Sequence, residues 1–135
     1  MDCGTEYIKM CDCEEIQKQR VKSNGDFEVR FKNGVGTVEV YHHREITAHY
    51  KPENHLWLPR QDQLQEMVKG NKHSHLLAHE FALWCHGGEE FGRIILAEDP
   101  HCDWSMEQLW LAFVMKKKYN KVWKDDKWIE SATQS

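Results

Sequence analysis

The most complete helical pattern in the chain lies between Trp104 and Trp123. Ser105 is a good N-cap because its hydroxyl can accept a backbone N–H bond, and Gln108 three residues later completes a capping box. Apolar residues follow at helical spacing: Met106, Leu109, Trp110, Phe113 and Val114. Three lysines precede Asn120, which can end the helix in the left-handed conformation. The pattern predicts a helix over about 105–119, covered on more than one side.

Other segments also have helical spacing. The predicted ranges are 5–22, 61–70 and 73–86. The first is interrupted, and Asp12 is expected to act as the N-cap of its second part. Gly70 stands where a C′ glycine ends the second helix, and Gly87-Gly88 ends the third.

Alternation of apolar and polar residues predicts strands between residues 26 and 50. The expected strands are Phe27–Phe31, with Phe27, Val29 and Phe31 on the buried face, then Val35–Tyr41 and Ile46–Tyr50. Asn33-Gly34 between the first two is a strong hairpin signal. These strands would form a three-stranded antiparallel meander, while 41–54 could instead be a loop.

The predicted fold class is α+β, with a small antiparallel sheet at about 26–50 packed by three to four helices. No linker or internal repeat divides the chain, so we expect one domain over 1–135. Phe91–Ala97 is ambiguous between a strand and a buried loop. The tryptophans at 123 and 128 indicate either a small hairpin or a hooked tail.

Composition narrows the class of protein. The hydrophobic fraction of 40% supports a packed core, and the net charge of −4 argues against a general nucleic-acid binder. No apolar run is long enough for a membrane span, and the acidic start of the chain is unlike a signal peptide. The five cysteines are an odd number without disulfide-scaffold density, so we expect reduced thiols and a cytoplasmic protein.

Histidine and cysteine residues suggest a metal site. His75 and His79 are four residues apart in a predicted helix, which suits Zn²⁺ if Cys11 or Cys102 supplies a further ligand. The alternative is a solvated histidine-rich face, since the HExxH motif of metalloproteases is absent. Cys11 and Cys13 form a C-x-C pair without a second pair, so Cys11 is expected in the core.

Two polar surfaces are candidates for binding. Arg60, Gln61 and Gln63 stand at the start of a predicted helix, where Arg60 either contacts a ligand anion or pairs with a carboxylate of the fold. Lys117 and Lys121 belong to a basic edge over Lys116–Lys124 that includes two aromatic residues. This edge either contacts nucleic acid or complements the helix dipole.

Three segments together resemble a family of small bacteriophage and prophage proteins without an assigned activity. They are YIKMCDCEEIQ at 7–17, WLPRQDQLQEMV at 57–68 and SMEQLWLAFVMKKKYNKVW at 105–123. The resemblance covers about half of the chain, and the His-rich segments at 41–54 and 73–86 fall outside it. It implies a phage-type origin and a bacterial cytoplasm, but no activity.

The sequence contains no phosphate-binding loop, dinucleotide fingerprint or nucleophile elbow, and no carboxylate pair in a recognisable acid–base setting. The leading hypothesis is therefore a non-enzymatic accessory protein that binds a host protein. One alternative is a small metal-binding protein that uses the His/Cys set. The other is a nucleic-acid binder that uses the Lys116–Lys124 edge.

Overall fold

The computed structural model describes residues 1–21, 25–40, 55–86 and 104–131. These residues form an α+β protein, as predicted, and the chain divides into two compact units, Met1–Arg60 and Gln61–Ser135. The described elements of the first unit are α1 (Thr5–Cys11), α2 (Glu14–Gln17), β1 (Phe27–Lys32), β2 (Val35–Val40) and β3 (His55–Leu58). Those of the second are α3 (Gln61–Lys69), α4 (Ser74–Cys85), α5 (Met106–Tyr119), β4 (Lys121–Lys124) and β5 (Lys127–Glu130).

The sheet of the first unit has the strand order β2-β1-β3, and both pairings are antiparallel. Asn33 and Gly34 have φ angles of 54° and 77°, so they form the predicted two-residue turn of type I′. Glu28 is opposite Glu39 on one side and Trp57 on the other. β1 is thus the central described strand, whereas the predicted third strand at 46–50 lies outside the described residues.

The structure corrects several predicted details in the first unit. The helix start expected at Asp12 falls one residue later, because Cys13 is the N-cap of α2. Residues 55–58 form a strand rather than only an approach to the next helix. Val29 is buried as expected, but Phe31 is exposed and Glu28 on the supposedly solvated face is buried.

The second unit is organised around α5, which has the predicted boundaries. Ser105 Oγ accepts from the Gln108 N–H, the Gln108 side chain accepts from the Ser105 N–H, and Asn120 is left-handed with a φ of 53°. The helix is buried on several sides because α3, α4 and β4 pack against it. The capping box therefore sets the start of α5, and most of its apolar residues are buried against the neighbouring elements, as the sequence predicted.

Aromatic rings of α4 and α5 form the core of the second unit. The Phe81 and Trp110 rings stack with centroids 3.8 Å apart, and Phe113 meets both Phe81 and Trp84 edge to face at 5.5 Å. The two-residue turn at Asp125-Asp126 joins β4 and β5, which confirms the small hairpin at the end of the unit. Gly70 has a positive φ of 54° after α3, as a C′ glycine does.

Candidate functional site

Two histidines predicted to bind metal lie exposed on α4. The His75 ring stacks on the His73 ring at 5.8 Å. Within the described ranges, neither His75 nor His79 belongs to a group of three potential ligands close enough to hold one ion. Cys102 lies outside those ranges. The zinc site at His75 and His79 therefore stays a prediction.

Burial raises the pKa of one cysteine in each unit, Cys11 in the first and Cys85 in the second. The four described cysteines are free thiols, in agreement with the predicted reduced state. Cys11 is in the core of the first unit, and burial is the main cause that raises its pKa well above the usual 9.0. Burial likewise raises the pKa of Cys85 to about 11. In both residues burial favours the neutral thiol, which is the less nucleophilic form.

Arg60 makes a carboxylate pair within the fold, which is one of the two uses predicted for it. Its guanidinium lies 3.2 Å from Asp26 Oδ1 and donates to the Gly25 carbonyl oxygen at 3.3 Å. Asp26 is completely buried, so this contact places a counter-charge beside a carboxylate that has lost its water. Gln61 and Gln63 are half-buried in the first turn of α3.

The basic edge of the second unit is largely engaged with its own neighbours. Lys116 Nζ donates to Asn120 Oδ1 at 2.9 Å and to Ser131 Oγ at 3.0 Å. Lys117 Nζ lies 3.5 Å from Glu80 Oε1 and 5.7 Å from the centre of the Phe113 ring. Lys121 is half-buried and opposite Glu130 in the hairpin. These contacts favour a structural role for this edge.

A cavity of about 320 Å³ opens beside Lys117 and Lys118. Met67, Val68 and Phe113 contribute apolar lining, while Lys72, Glu80 and Lys117 contribute charge. The carboxylate of Glu80 accepts from Lys72 at 2.6 Å, and this hydrogen bond is the main cause that lowers its pKa from the usual 4.5. The ionised carboxylate thus joins two cations of the cavity wall.

The sheet of the first unit carries a cluster of polar side chains on its three strands. Glu28, Glu39 and His55 come from the three adjacent strands, and one potential ligand atom of each lies within 4.8 Å of the others. Glu28 Oε2 accepts from Arg20 Nη2 at 2.7 Å, while Glu28 Oε1 lies 3.9 Å from His55 Nε2. We call these three residues the Glu–His cluster.

The two outer strands of the sheet differ in what the described residues place along their outer edges. At β3, the Gln17 side chain donates to the Trp57 carbonyl oxygen and accepts from the Trp57 N–H, both at 2.9 Å. The Tyr7 hydroxyl donates to the Pro59 carbonyl oxygen at 2.5 Å. Side chains of α1 and α2 therefore take the place of a fourth strand along β3.

At β2, the described residues include no strand beyond β1 as a partner. A two-residue turn closes on a hydrogen-bonded pair, so the register directs the N–H and C=O groups of Gly36, Val38 and Val40 away from β1. Three valines are also accessible here, with exposures of 66% for Val35, 38% for Val38 and 41% for Val40. We call Val35–Val40 with these outward groups the open edge.

Sequence reasoning did not single out the Glu–His cluster or the open edge. Glu28 falls among the polar positions of the first predicted strand, and residues 55–58 are not predicted to join the sheet. One signal was present: a turn at Asn33-Gly34 necessarily places Glu28 opposite Glu39. Like charges directly opposite in a sheet are unfavourable, so such a pair indicates that a cationic group is close by.

Comparison with protein-family models, with curated proteins and with solved structures finds no match to this chain. None of the described helices has the length and apolar character needed to cross a membrane.

Proposed function

We propose that the chain is a non-enzymatic accessory protein of the phage or prophage type, and that it binds a host protein through its open edge. The occupant we propose is an extended segment of the partner that pairs with β2 as an added strand. The observation that supports this proposal is a contrast between the two outer strands. Side chains of the same unit bond the outer groups of β3, whereas the described residues place no strand other than β1 beside β2.

The composition of β2 supports this role. Proteins usually protect an edge strand with charged residues, proline or a bulge, since unpaired backbone groups invite pairing with another chain. Glu39 is the one charged residue between Val35 and Val40, and the valines there are accessible. Backbone pairing would provide affinity, and contacts with alternate side chains would provide specificity.

Nucleic acid has less support as the partner. The chain is acidic overall, and Lys116 and Lys117 contact polar groups of their own unit. A nucleic-acid complex through this edge would weaken steeply with salt, because phosphate contacts release counterions.

Site-specific photocrosslinking tests the proposal. A benzophenone amino acid replaces Val38 in the full chain, which is then expressed in a bacterial host and irradiated. The matched control places it at Val21, which is 82% exposed but lies outside the sheet. We expect a discrete host-protein adduct from position 38 and none from position 21.

The captured protein is then purified and its affinity measured by calorimetry. Val38→Lys should weaken binding at least tenfold because it brings charge to the edge, while Val21→Lys should leave binding unchanged. Both variants should keep their melting behaviour, since exposed substitutions change stability little. Equal crosslinking from both positions, adducts with a second copy alone, or unchanged affinity of Val38→Lys would contradict the proposal.

A further inference from the structure

We propose that the Glu–His cluster is a binding site for a divalent transition-metal ion, with Zn²⁺ as the probe. Its ligands would be one carboxylate oxygen each from Glu28 and Glu39 and the Nε2 atom of His55. This site differs from the helical pair at His75 and His79 in both position and ligand type. It does not depend on the proposed protein partner.

The first argument is the arrangement of the donor atoms. Two ligands of a tetrahedral zinc ion, each at about 2.0–2.1 Å, lie about 3.3–3.4 Å apart. His55 Nε2 and Glu28 Oε1 are 3.9 Å apart, which is too long for a hydrogen bond but close to this ligand separation. All three donor atoms fall within 4.8 Å of one another, and Glu39, whose side chain is 39% exposed, is the ligand that would move to complete the set.

The second argument concerns burial and charge. The side chains of Glu28 and His55 are only 4% and 7% exposed, unlike the surface carboxylates that often cluster without a ligand. Glu28 and Glu39 are also directly opposite in the hairpin, where two like charges repel. A bound cation between the strands would convert this repulsion into attraction to a common centre.

Arg20 has a defined place in this arrangement. It bonds to Glu28 Oε2, the oxygen that does not face His55, so the two oxygens have separate partners. Carboxylate ligands are commonly held in this way by an outer hydrogen bond, which fixes their orientation toward the metal. Arg30 lies 3.8 Å from Glu39 in an exposed and weak pair, which an incoming ion would displace.

The donor types select the class of ion. Imidazole favours zinc and its transition-metal neighbours, whereas Mg²⁺ prefers an octahedral set of oxygens. One imidazole and two carboxylates would leave a fourth position of a tetrahedral zinc ion for water.

Zinc binding to the full chain without a His-tag tests the site. The protein is stripped with a chelator, dialysed, and titrated with Zn²⁺ by calorimetry, with native mass spectrometry to count bound ions. We expect one ion per chain, and a tenfold excess of Mg²⁺ should not displace it. His55→Gln and Glu39→Gln should each lower the affinity by at least about tenfold.

The control is the double variant His75→Gln, His79→Gln, which should bind zinc as the unmodified chain does. Glu39 is accessible, so Glu39→Gln keeps the test valid even if His55→Gln perturbs the fold. Absence of stoichiometric zinc would overturn the site, as would unchanged affinity of Glu39→Gln. Loss of the ion from the double variant alone would assign it to α4 and would also overturn the proposal.

Discussion

The two units of the chain differ in the polar side chains that they bury. In Gln61–Ser135, aromatic rings fill the interior, and the described buried polar residues are the uncharged Gln108 and Ser131. In Met1–Arg60, the carboxylates of Asp26 and Glu28 are buried while valines of β2 are accessible. Burying charge lowers stability unless the charge is paired, so the ion pairs of the first unit and the aromatic core of the second should respond differently to substitution.

The largest effect should come from the aromatic core of the second unit. Trp110→Ala removes the ring that stacks on Phe81 at 3.8 Å, and such a truncation costs about 3–5 kcal/mol. That is a large share of the stability of a small domain, so we expect most of the protein to unfold. Denaturant melts followed by circular dichroism measure this. Leu83→Ala, on the exposed side of α4, should change stability by less than about 0.5 kcal/mol. A near-native cooperative melt of Trp110→Ala would show that the aromatic core does not dominate the stability of the protein.

The next effect should come from the buried ion pair of the first unit. Glu28→Gln keeps the shape of the side chain but removes the charge that faces Arg20 at 2.7 Å, at a cost of about 1.5–3 kcal/mol. Glu39→Gln is the matched control, because its exposed pair with Arg30 contributes about 0–1 kcal/mol. Both are measured by denaturant melts in the presence of a chelator. Equal losses of unfolding free energy in the two variants would show that the buried pair of Glu28 stabilises the unit no more than the exposed pair of Glu39 does.

A smaller effect should come from the start of α5. Ser105→Ala removes the side-chain half of the capping box and should cost about 1 kcal/mol. Ser74→Ala provides a control at the first residue of α4, where the N-cap is His73 and makes no side-chain capping bond. Comparison of the two melting temperatures measures the difference. Equal shifts would mean that the capping box contributes nothing beyond the helix propensity of alanine.

The smallest effect should come from Glu80 on the surface of the second unit. Lys72 lowers the pKa of this carboxyl in the folded state, so the native protein binds fewer protons than the unfolded chain. The resulting stability is present above the usual pKa of 4.5 and is lost as the pH falls through the lowered folded value. Glu80→Gln should remove this contribution, about 0.2–1 kcal/mol for a partly exposed pair. Melts at pH 7 and pH 3 measure it, with Glu66→Gln on α3 as the control. An identical pH dependence of Glu80→Gln and the unmodified chain would contradict the assignment.

Local patterns predicted the elements well, and distant contacts explain what they missed. The capping box of α5, the Asn33-Gly34 turn and the C′ glycine at Gly70 each depend on residues a few positions apart. The sheet depends on distant residues as well. β3 pairs with β1 from about thirty positions away, and the buried Glu28 contacts Arg20 and His55. Alternation along β1 could show which residues share a face, but not which faces become covered.

The amino-acid sequence by itself determined the α+β class and most of the element boundaries, because turns, caps and periodicity depend on neighbouring residues. Only the tertiary structure decided that Gln17 covers the edge of β3 and that Glu28, Glu39 and His55 meet on one face. The physical reason is that burial and pairing depend on segments brought together by folding. The candidate sites of this protein arise from those distant pairings rather than from a contiguous motif.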